Sequence, residues 1–354
     1  MLQNKEKLTE LQQLGEFGLI DRLTKKVKIV NASTIKGIGD DATVIKYAND
    51  MMTLVSKDLL IEGVHFDLIY TPLKHLGYKA AITNFSDIAA MNGKPQQMLI
   101  GLAVSSRFSV EAIEEFYAGI SLACKKYKVD LVGGDTTTSK SGMIISITII
   151  GEVKKEEIVY RNTANEYDLL CVSGDLGGAY MGLLLLEREK AVFNVNPNMQ
   201  PDLSGNDYIL QRQLKPEART DIVDILKCLK VKPTAMIDIS DGLASEIFHI
   251  CKGSGKGCSL YEDKIPIDPS TIIMAQEFQI DPTVCALSGG EDYELLFTIK
   301  QADFDKVKDN PNISVIGHIT DEKVGVNLIT RSGRSVPLTA QGWDAFNKRN
   351  IEPD

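Results

Sequence analysis

The sequence is short of the residues that mark several common protein classes. It has a single tryptophan, and its six cysteines include no CxxC pair. Scattered cysteines of this kind are typical of reduced thiols in a cytoplasmic protein rather than of a disulfide framework. The spacing of Cys251, Cys258 and His249 does not match the usual structural zinc sites. These absences argue against a disulfide-stabilised secreted protein and against a zinc protein.

Long apolar runs are also missing. Residues 1–23 mix lysine, glutamate, glutamine and arginine with apolar residues, so they contain no apolar signal-peptide core. The most apolar stretch, residues 143–153, is too short for a transmembrane helix and is rich in β-branched isoleucine. We therefore expect a cytoplasmic protein that has no membrane partner.

The chain has no excess of positive charge. It carries 39 lysines and arginines against 48 aspartates and glutamates, a net charge of −9. General attraction to nucleic acid or to an anionic membrane is therefore not expected. An acidic protein that handles phosphates has to obtain cations from another source.

Several familiar catalytic motifs are absent. Residues 253–257, Gly-Ser-Gly-Lys-Gly, lack the spacing of a Walker A loop. Protein-kinase signatures, a GxSxG elbow and a nucleophilic cysteine with a nearby histidine motif are also missing. Residues 174–178, Gly-Asp-Leu-Gly-Gly, predict a tight turn from a strand into a helix. The chemistry must therefore come from other residues.

The length and the apolar pattern predict two folded lobes. The chain has 354 residues, of which 44% are hydrophobic and 25% charged, which is typical of a globular protein. Apolar periodicity predicts strands alternating with helices, and therefore an α/β architecture. The strands are expected at residues 51–57, 97–104, 129–132, 143–153, 169–173, 236–239 and 295–299. The helices are expected at residues 11–23, 76–91, 110–127, 179–189, 220–229 and 243–252. A charged stretch after residue 154 suggests domains 1–155 and 156–354.

The stretch that organises the chain is residues 131–137, Leu-Val-Gly-Gly-Asp-Thr-Thr. Residues 129–132 are typical of the end of a buried strand, and the glycine pair that follows allows a sharp turn or a close approach to a ligand. Asp135 then supplies a hard oxygen ligand, the kind that holds a metal-bound phosphate. An ordinary surface turn would explain the same few residues equally well.

Similar acidic segments recur along the chain. Five of them place acids beside glycine or serine: Asp40 with Asp41, Asp58, Asp87, Asp135, and Asp238 with Asp241. Carboxylates gathered in one place repel one another and raise one another's pKa. Bound Mg²⁺ relieves this repulsion, and Mg²⁺ prefers carboxylates together with phosphate oxygens and water. The five segments together favour a phosphate site loaded with several magnesium ions over five unrelated surface turns.

Five motifs in this order carry a family resemblance. They are Gly-Ile-Gly-Asp-Asp at 37–41, Asn-Phe-Ser-Asp-Ile-Ala-Ala-Met at 84–91, Gly-Gly-Asp-Thr-Thr at 133–137, Ile-Asp-Ile-Ser-Asp-Gly at 237–242 and Ser-Gly-Gly-Glu-Asp-Tyr-Glu-Leu at 288–295. The chain resembles thiamine-monophosphate kinase, which belongs to the superfamily of aminoimidazole ribonucleotide synthetase and selenophosphate synthetase. The resemblance spans nearly the whole chain, and the 288–295 motif with Trp343 narrows it from the superfamily to this family.

The resemblance implies both a fold and a reaction. The fold would be the two-lobe α/β (α+β) type of aminoimidazole ribonucleotide synthetase. Its N-terminal lobe would bind ATP and Mg²⁺ and form a barrel in a homodimer, and its C-terminal α/β lobe would close the site. The reaction would be direct in-line transfer of the γ-phosphate of ATP, the co-substrate, to thiamine monophosphate with the help of several Mg²⁺ ions, giving thiamine diphosphate. No strong general base is needed, because the acceptor phosphate is already nucleophilic.

The resemblance also implies roles for individual residues. The implied metal ligands are Asp41, Ser56, Lys57, Asp58, Asp87, Asp135, Asp238 and Asp241. The implied ATP contacts are Gly134, Asp135, Arg161 and Ser240, and the implied substrate contacts are His65, Glu291 and Trp343. Asp135, Asp41 and Asp241 would be central to catalysis. Lys57 departs from the family, which usually has threonine there. The change is harmless if the backbone carbonyl of this residue binds the metal, whereas a need for the threonine hydroxyl would remove one metal ligand.

Two other functions stay open at this stage. The first is another ATP-using enzyme of the superfamily, such as one like aminoimidazole ribonucleotide synthetase or selenophosphate synthetase. The latter is disfavoured because the first cysteine is Cys124, so a reactive N-terminal cysteine is missing. The second is a nucleotide-binding regulator that has lost catalysis. The presence of every expected acid argues against it.

Overall fold

The computed structural model of the chain describes Gly18 and residues 31–47 and 50–339. Trp343 and, apart from Gly18, the predicted helix over residues 11–23 lie outside the described residues. Two mixed sheets, each with helices, make up the described part. This is the mixed α/β architecture that the sequence predicts.

The first sheet has six strands. They are β1 (Thr34–Lys36), β2 (Thr43–Ile45), β3 (Met51–Ile61), β4 (Lys94–Val104), β5 (Asp130–Thr138) and β6 (Ile144–Lys154). Their order across the sheet is β1-β2-β3-β6-β4-β5. All neighbouring pairs are antiparallel except β4 and β5, which are parallel. β5 therefore lies at an edge of the sheet, and β3 and β6 lie in its interior.

Two helices cover one face of this sheet. They are α1 (Leu73–Ala90), which packs on β3, β4 and β6, and α2 (Val110–Tyr127), which packs on α1. The helices approach closely because Gly77 and Gly119 lack side chains. A Cβ atom at Gly77 would lie 2.0 Å from the carbonyl oxygen of Phe116, and one at Gly119 would lie 1.9 Å from that of Lys74. The opposite face of the sheet, which we call the outer face, carries no helix in the described part.

The second sheet has seven strands. They are β7 (Leu169–Ser173), β8 (Ala235–Asp238), β9 (Lys256–Tyr261), β10 (Leu295–Ile299), β11 (Ile313–Asp321), β12 (Val326–Ile329) and β13 (Ser335–Pro337). Their order is β13-β12-β9-β11-β7-β10-β8. Only β9 and β12 run parallel. The strand β10 is buried along its whole length, because β7 and β8 flank it in the sheet and apolar side chains pack on it.

In the described part of the chain, seven helices accompany the second sheet. They are α3 (Gly178–Val195), α4 (Asp207–Leu214), α5 (Thr220–Cys228), α6 (Leu243–Ser254), α7 (Pro269–Glu277), α8 (Pro282–Ser288) and α9 (Phe304–Val307). Short 3-10 turns span Glu262–Lys264, Gln301–Asp303 and Glu322–Val324. No helix of the described part is long and apolar enough to cross a membrane.

The two sheets share apolar packing at their junction. Ala89 and Ala90, at the end of α1, belong to the same buried cluster as Met236 and Phe297 of the second sheet. Burial of this apolar surface stabilises the contact at roughly 25 cal/mol per Å². The C-terminal half of α1 is therefore held against both sheets, and the polar residues along it are fixed at the junction.

Candidate active site

A cluster of carboxylates forms where the two sheets meet. We call it the acid cluster, and its members are Asp41, Asp58, Asp87, Asp238, Asp241 and Glu246. Burial raises the pKa of Asp87 well above its ordinary value, and the charges of Asp58, Asp238 and Asp41 raise it further. These four acids come from different elements: Asp41 from the loop before β2, Asp58 from β3, Asp87 from α1 and Asp238 from β8. The fold therefore brings together acids that are distant in sequence.

The pKa values of Asp41, Asp58 and Asp238 are raised in the same way. Burial, followed by the charges of Asp238 and Asp40, raises the pKa of Asp41 well above its ordinary value. The pKa of Asp238 rises to about 6, chiefly because of burial and against the hydrogen bond from Ser86. The pKa of Asp58 is also raised by burial. Such a set of buried like charges is stable only if protons or cations neutralise part of it.

Strand alternation explains why Ser56 and Asp58 face the cluster. Successive residues of a strand point to opposite faces, and Leu54 and Leu60 of β3 are buried under α1 on the same face as these two polar residues. The hydroxyl of Ser56 donates a hydrogen bond to Oδ2 of Asp87. The hydroxyl of Ser86 donates to Oδ2 of Asp238 at 2.6 Å. These serines fix the orientation of the acids on α1 and β8.

Lys57 lies on the other side of the sheet. Its ammonium group donates a hydrogen bond to the hydroxyl of Ser146 on the outer face, since alternation turns it away from Ser56 and Asp58. The structure therefore separates the Lys57 side chain from Ser56, Asp58 and the acid cluster. Only the backbone of this residue remains available on the side of the acid cluster.

Asp135 is not brought into the acid cluster of its own chain. Strand pairing aligns Asp58 with Ile147, Ile147 with Ile100, and Ile100 with Gly134. Three strand spacings therefore separate Asp58 from Gly134, about 14 Å. Asp135 follows Gly134, so its side chain points to the outer face. Among the predicted metal ligands, this carboxylate is the one that the structure places farthest from the others.

Of the two alternatives for Gly133 and Gly134, the sharp turn is wrong and the close approach to a ligand stays a prediction. Both glycines lie inside β5, which is exposed along its whole length, so the strand is also not buried as predicted. The glycines lie within a strand because β5 pairs in parallel with β4. In this pairing, a Cβ atom at Gly134 would lie 1.9 Å from the carbonyl oxygen of Ile100. Gly134 is therefore required by backbone packing, and its predicted contact with ATP stays a prediction.

The acid cluster suits divalent cations. Oδ2 of Asp41 is buried and accepts no hydrogen bond within the described part of the chain. All donors are carboxylate oxygens, which Mg²⁺ prefers. No group of three or more His, Cys, Asp or Glu side chains among residues 31–47 and 50–339 is arranged to hold an ion by itself. Mg²⁺ at this cluster would therefore need phosphate oxygens and water as further ligands.

One cation and one histidine border the cluster. Nη1 of Arg161 lies 3.8 Å from Oδ1 of Asp41, and its charge lowers the pKa of both Asp41 and Asp238. The pKa of His249 falls to about 4 because of burial and the charges of Arg161 and Lys252. His249 is therefore neutral at pH 7, so it adds no positive charge beside the acids.

Sequence reasoning missed Glu246. Its carboxylate accepts a hydrogen bond from the backbone N–H of Asp241 at 2.9 Å, and burial and the charge of Asp241 raise its pKa. A glutamate in the first turn of a helix ordinarily indicates a favourable interaction with the helix dipole. Because α6 is buried against β8, the same residue here joins the acid cluster.

A second polar group, which we call the Glu291 group, contains His65, Lys79, Gln213 and Glu291. Oε1 of Glu291 lies 2.8 Å from the ammonium of Lys79, and Oε2 accepts a hydrogen bond from Gln213 at 2.8 Å. Burial lowers the pKa of His65, and the neighbouring charge of Glu291 opposes this shift. Sequence reasoning also missed Lys79 and Gln213. A lysine within the apolar run of α1 could have indicated a buried charge that needs a partner.

The two polar groups are contiguous. Burial raises the pKa of Tyr293, and the charges of Glu291, Asp58, Asp238 and Asp241 act on the same hydroxyl. The backbone N–H of Glu291 also donates to the carbonyl oxygen of Ser240 at 2.7 Å. A single continuous region therefore presents buried acids on one side and the Glu291 group on the other.

The backbone around Glu291 is held in an uncommon conformation. Glu291 and Tyr293 have φ values of 67° and 52°, which are costly for residues other than glycine and cluster at functional sites. Arg212 binds this segment through two ion pairs. Its Nη1 lies 2.9 Å from Oε1 of Glu294, and its Nη2 lies 3.4 Å from Oδ1 of Asp292. The buried ion pairs keep the strained loop in place.

Comparison with known proteins gives consistent results. The family described as AIR synthase related protein, N-terminal domain, matches residues 39–153. Thiamine-monophosphate kinase of Aquifex aeolicus is 36% identical over 95% of this chain and 99% of its own length. The protein of the same name from Bacillus subtilis is 32% identical over 94% of this chain and its whole length.

A solved structure shares the whole fold. It is described as AaThiL complexed with AMPPCP and TMP, and it is 32% identical to this chain. The two align with a TM-score of 0.81 over 96% of this chain and 99% of the other. Both lobes and their junction are therefore common to the two proteins.

Proposed function

The chain belongs to the thiamine-monophosphate kinase family, and from this membership we propose that it transfers the γ-phosphate of ATP to thiamine monophosphate, giving thiamine diphosphate. The observation that carries the proposal is the continuity of the acid cluster with the Glu291 group across Tyr293. Two phosphorylated substrates must meet in such a reaction, and the chain offers a cation-recruiting side and a separate polar side. The proposed transfer is in line and needs Mg²⁺.

Asp41, Asp58, Asp87 and Asp238 would hold the ions. When bound, Mg²⁺ would neutralise phosphate charge and orient the transferring group. Ser56 and Ser86 keep the carboxylates aimed at one region, so little reorganisation is needed when substrates arrive.

Arg161 supplies a fixed positive charge beside Asp41, and we assign it to a phosphate of ATP together with Ser240. No residue has to remove a proton, because the acceptor phosphate is an oxyanion at neutral pH. The low pKa of His249 makes that imidazole a weak base, which agrees with a transfer that needs no base. The catalytic contribution of the chain is then mainly placement and charge compensation.

The Glu291 group is the proposed contact for the organic part of thiamine monophosphate. Glu291 is a carboxylate held by Lys79 and Gln213, so its orientation is fixed before the substrate binds. A fixed carboxylate suits a substrate that carries a cationic ring and an amine. His65 borders the same space, and the proposed stacking contact of Trp343 lies outside the described residues.

We also propose a homodimer that completes the site. The outer face of the first sheet exposes Leu59 and Leu99. The free edge of β5 and the half of β3 from Ser56 to Ile61, which has a strand on only one side within the described ranges, are both open to pairing. If these edges pair between two copies, β5 of the partner subunit would lie beside this half of β3. The partner subunit's Asp135 would then be one strand spacing from the strand that carries Asp58, instead of the three spacings that separate these strands within one chain.

The remaining assignments are proposals of the same kind. We retain domains 1–155 and 156–354, since the first sheet ends at Lys154 and the second begins at Leu169. We propose the cytoplasm as the compartment because all six cysteines are free thiols.

A coupled assay tests the proposed activity. With ATP, Mg²⁺ and thiamine monophosphate, we expect thiamine diphosphate and ADP in equal amounts, and no product when EDTA replaces Mg²⁺. Omitting thiamine monophosphate gives the background ATP hydrolysis to be subtracted. ATP turnover only with a different acceptor would indicate another enzyme of the superfamily. Nucleotide binding without any turnover would indicate a regulator, and either result would contradict the proposal.

A further inference from the structure

A pocket on the far side of the lobe junction is lined by lysines. Its volume is about 300 Å³, within the lower range of small-molecule sites. Its lining includes five lysines and two glutamates, namely Lys94, Lys154, Lys227, Lys230, Lys232, Glu152 and Glu157. Such an excess of positive charge stands out in a chain whose net charge is −9.

The lysines come from both lobes. Lys94 begins β4 and Lys154 ends β6, whereas Lys227 lies on α5 and Lys230 and Lys232 lie between α5 and β8. The pocket also includes Met51, the first residue of β3. Seven residues of extended strand separate Met51 from Asp58, about 23 Å. The pocket is therefore distinct from the acid cluster.

Some of these ammonium groups already have partners. Lys94 pairs with Asp224 at 2.9 Å, and Lys227 pairs with Glu157 at 3.3 Å. The ammonium of Lys232 donates to the carbonyl oxygen of Glu156 at 2.5 Å. Lys154, Lys230 and Lys232 have no ion-pair partner in the part of the chain that the structure describes. Three positive charges from both lobes thus face the pocket, against the carboxylate of Glu152, which accepts a hydrogen bond from Gln96.

The floor of the pocket strengthens the effect of these charges. It is formed by Val153, Val223 and Val231, which are buried, together with the partly buried Met51. An apolar surface keeps the local dielectric constant below that of water, so an ammonium beside it attracts an anion more strongly than an ammonium on an open surface. Lys230 also has a φ of 56°, so its backbone is in the left-handed region at the end of α5.

We propose that this lysine pocket is a second anion site, which binds a small phosphorylated ligand with the charge and size of a diphosphate. Lysine is a common point-charge partner of phosphate, and an anion with several oxygens can contact Lys154 and Lys230 at once. The ligand would bridge the two lobes at the end of their junction opposite the acid cluster. Binding there would hold the lobes in one relative position and so influence the site between them.

Calorimetry with inorganic pyrophosphate tests this site on the full chain. EDTA in the buffer removes divalent ions, so the acid cluster repels the probe and contributes no binding. We expect saturable binding that weakens as salt is added, because charge attraction drives it. The double variant Lys154→Gln with Lys230→Asn should bind pyrophosphate about tenfold more weakly or worse, a loss of about 1.4 kcal/mol. Asparagine is chosen because it tolerates a positive φ.

Two controls make the outcome decisive. Lys300→Gln with Lys323→Gln removes two exposed lysines elsewhere in the second lobe and should leave the affinity unchanged. Asp238→Asn should also leave it unchanged, and equal melting temperatures would show that the lysine variants are folded. No saturable binding to the unmodified chain would overturn the proposal. Equal affinity in the Lys154 and Lys230 double variant, or a dependence on Asp238, would overturn it as well.

Discussion

Replacing Asp238 with asparagine is expected to abolish turnover and, at the same time, to stabilise the metal-free protein. The carboxylate is buried among Asp41, Asp58 and Glu246, so removing its charge relieves repulsion. The same change removes a ligand for the ions that compensate the phosphates. We expect a loss of about a thousandfold in kcat. A residue that lowers the stability of the metal-free fold but is needed for turnover is expected at a site that binds cations.

The pH dependence of this effect follows from the sign of the pKa shift. Folding raises the pKa of Asp238 from 3.8 to about 6. The proton-linked contribution to stability is therefore fully present below pH 3.8 and is lost as the pH rises through 6. At pH 7 the charged form costs on the order of 3 kcal/mol. The metal-free protein should thus melt at a lower temperature at pH 7.5 than at pH 5, and Mg²⁺ should raise the melting temperature mainly at the higher pH.

Melting curves in EDTA at pH 5 and pH 7.5 measure this effect. Asp238→Asn should melt higher than the unmodified chain at pH 7.5, with little difference at pH 5. Asp305→Asn is the matched control, because its side chain is 82% exposed and its removal should change neither stability nor turnover. A lower melting temperature for Asp238→Asn at pH 7.5 in EDTA would show that repulsion does not dominate the cluster.

Asp135→Asn is expected to abolish turnover alone, and its combination with Asp238→Asn in one dimer is expected to restore it. If the partner subunit's Asp135 completes each site, a mixed dimer has one site with both acids and one site with neither. Co-expressed variants that assort randomly into symmetric dimers should show about a quarter of the unmodified activity. The exposed edge position of Asp135 means that the fold should remain intact.

The mixing experiment separates two arrangements. Should Asp135 act within its own chain, every site in the mixture would lack one acid and no activity would return. Each variant expressed alone gives the background, and differently tagged copies allow the mixed dimers to be purified. Activity that stays at background in purified mixed dimers would contradict the shared site. Near-normal turnover by Asp135→Asn alone would remove this residue from the reaction.

Local patterns predicted much of the secondary structure. The helix α2 begins and ends as predicted, and its N-cap Ser109 accepts a hydrogen bond from the N–H of Ala112 at 3.2 Å. The bounds of β7 and β10 are also as predicted. These elements have apolar periods and capping residues within their own sequence. By contrast, no element was predicted for residues 207–214, which form the helix α4. This helix is short and is held by the burial of Ile209 and Gln213, contacts that its own sequence does not show.

The site was predictable in its residue types and less so in its geometry. Asp41, Asp58, Asp87 and Asp238 converge as the sequence predicts. The placement of Asp135 could not be predicted, because it depends on the pairing of β5 with β4 rather than on the glycines beside it. Lys79 and Glu246 were missed for a similar reason. A buried charge becomes understandable only when its partners, here Glu291 and Asp241, are brought beside it from distant parts of the chain.

The most direct measurement of the central claim is the location of Mn²⁺, by its anomalous scattering, in crystals grown with a non-hydrolysable ATP analogue. Mn²⁺ takes the same oxygen ligands as Mg²⁺ and can be identified by its signal. The account predicts more than one ion bound between the carboxylates of Asp41, Asp58, Asp87 and Asp238 and the phosphates of the nucleotide. Nucleotide bound productively at a different place, with these carboxylates free of metal, would contradict it.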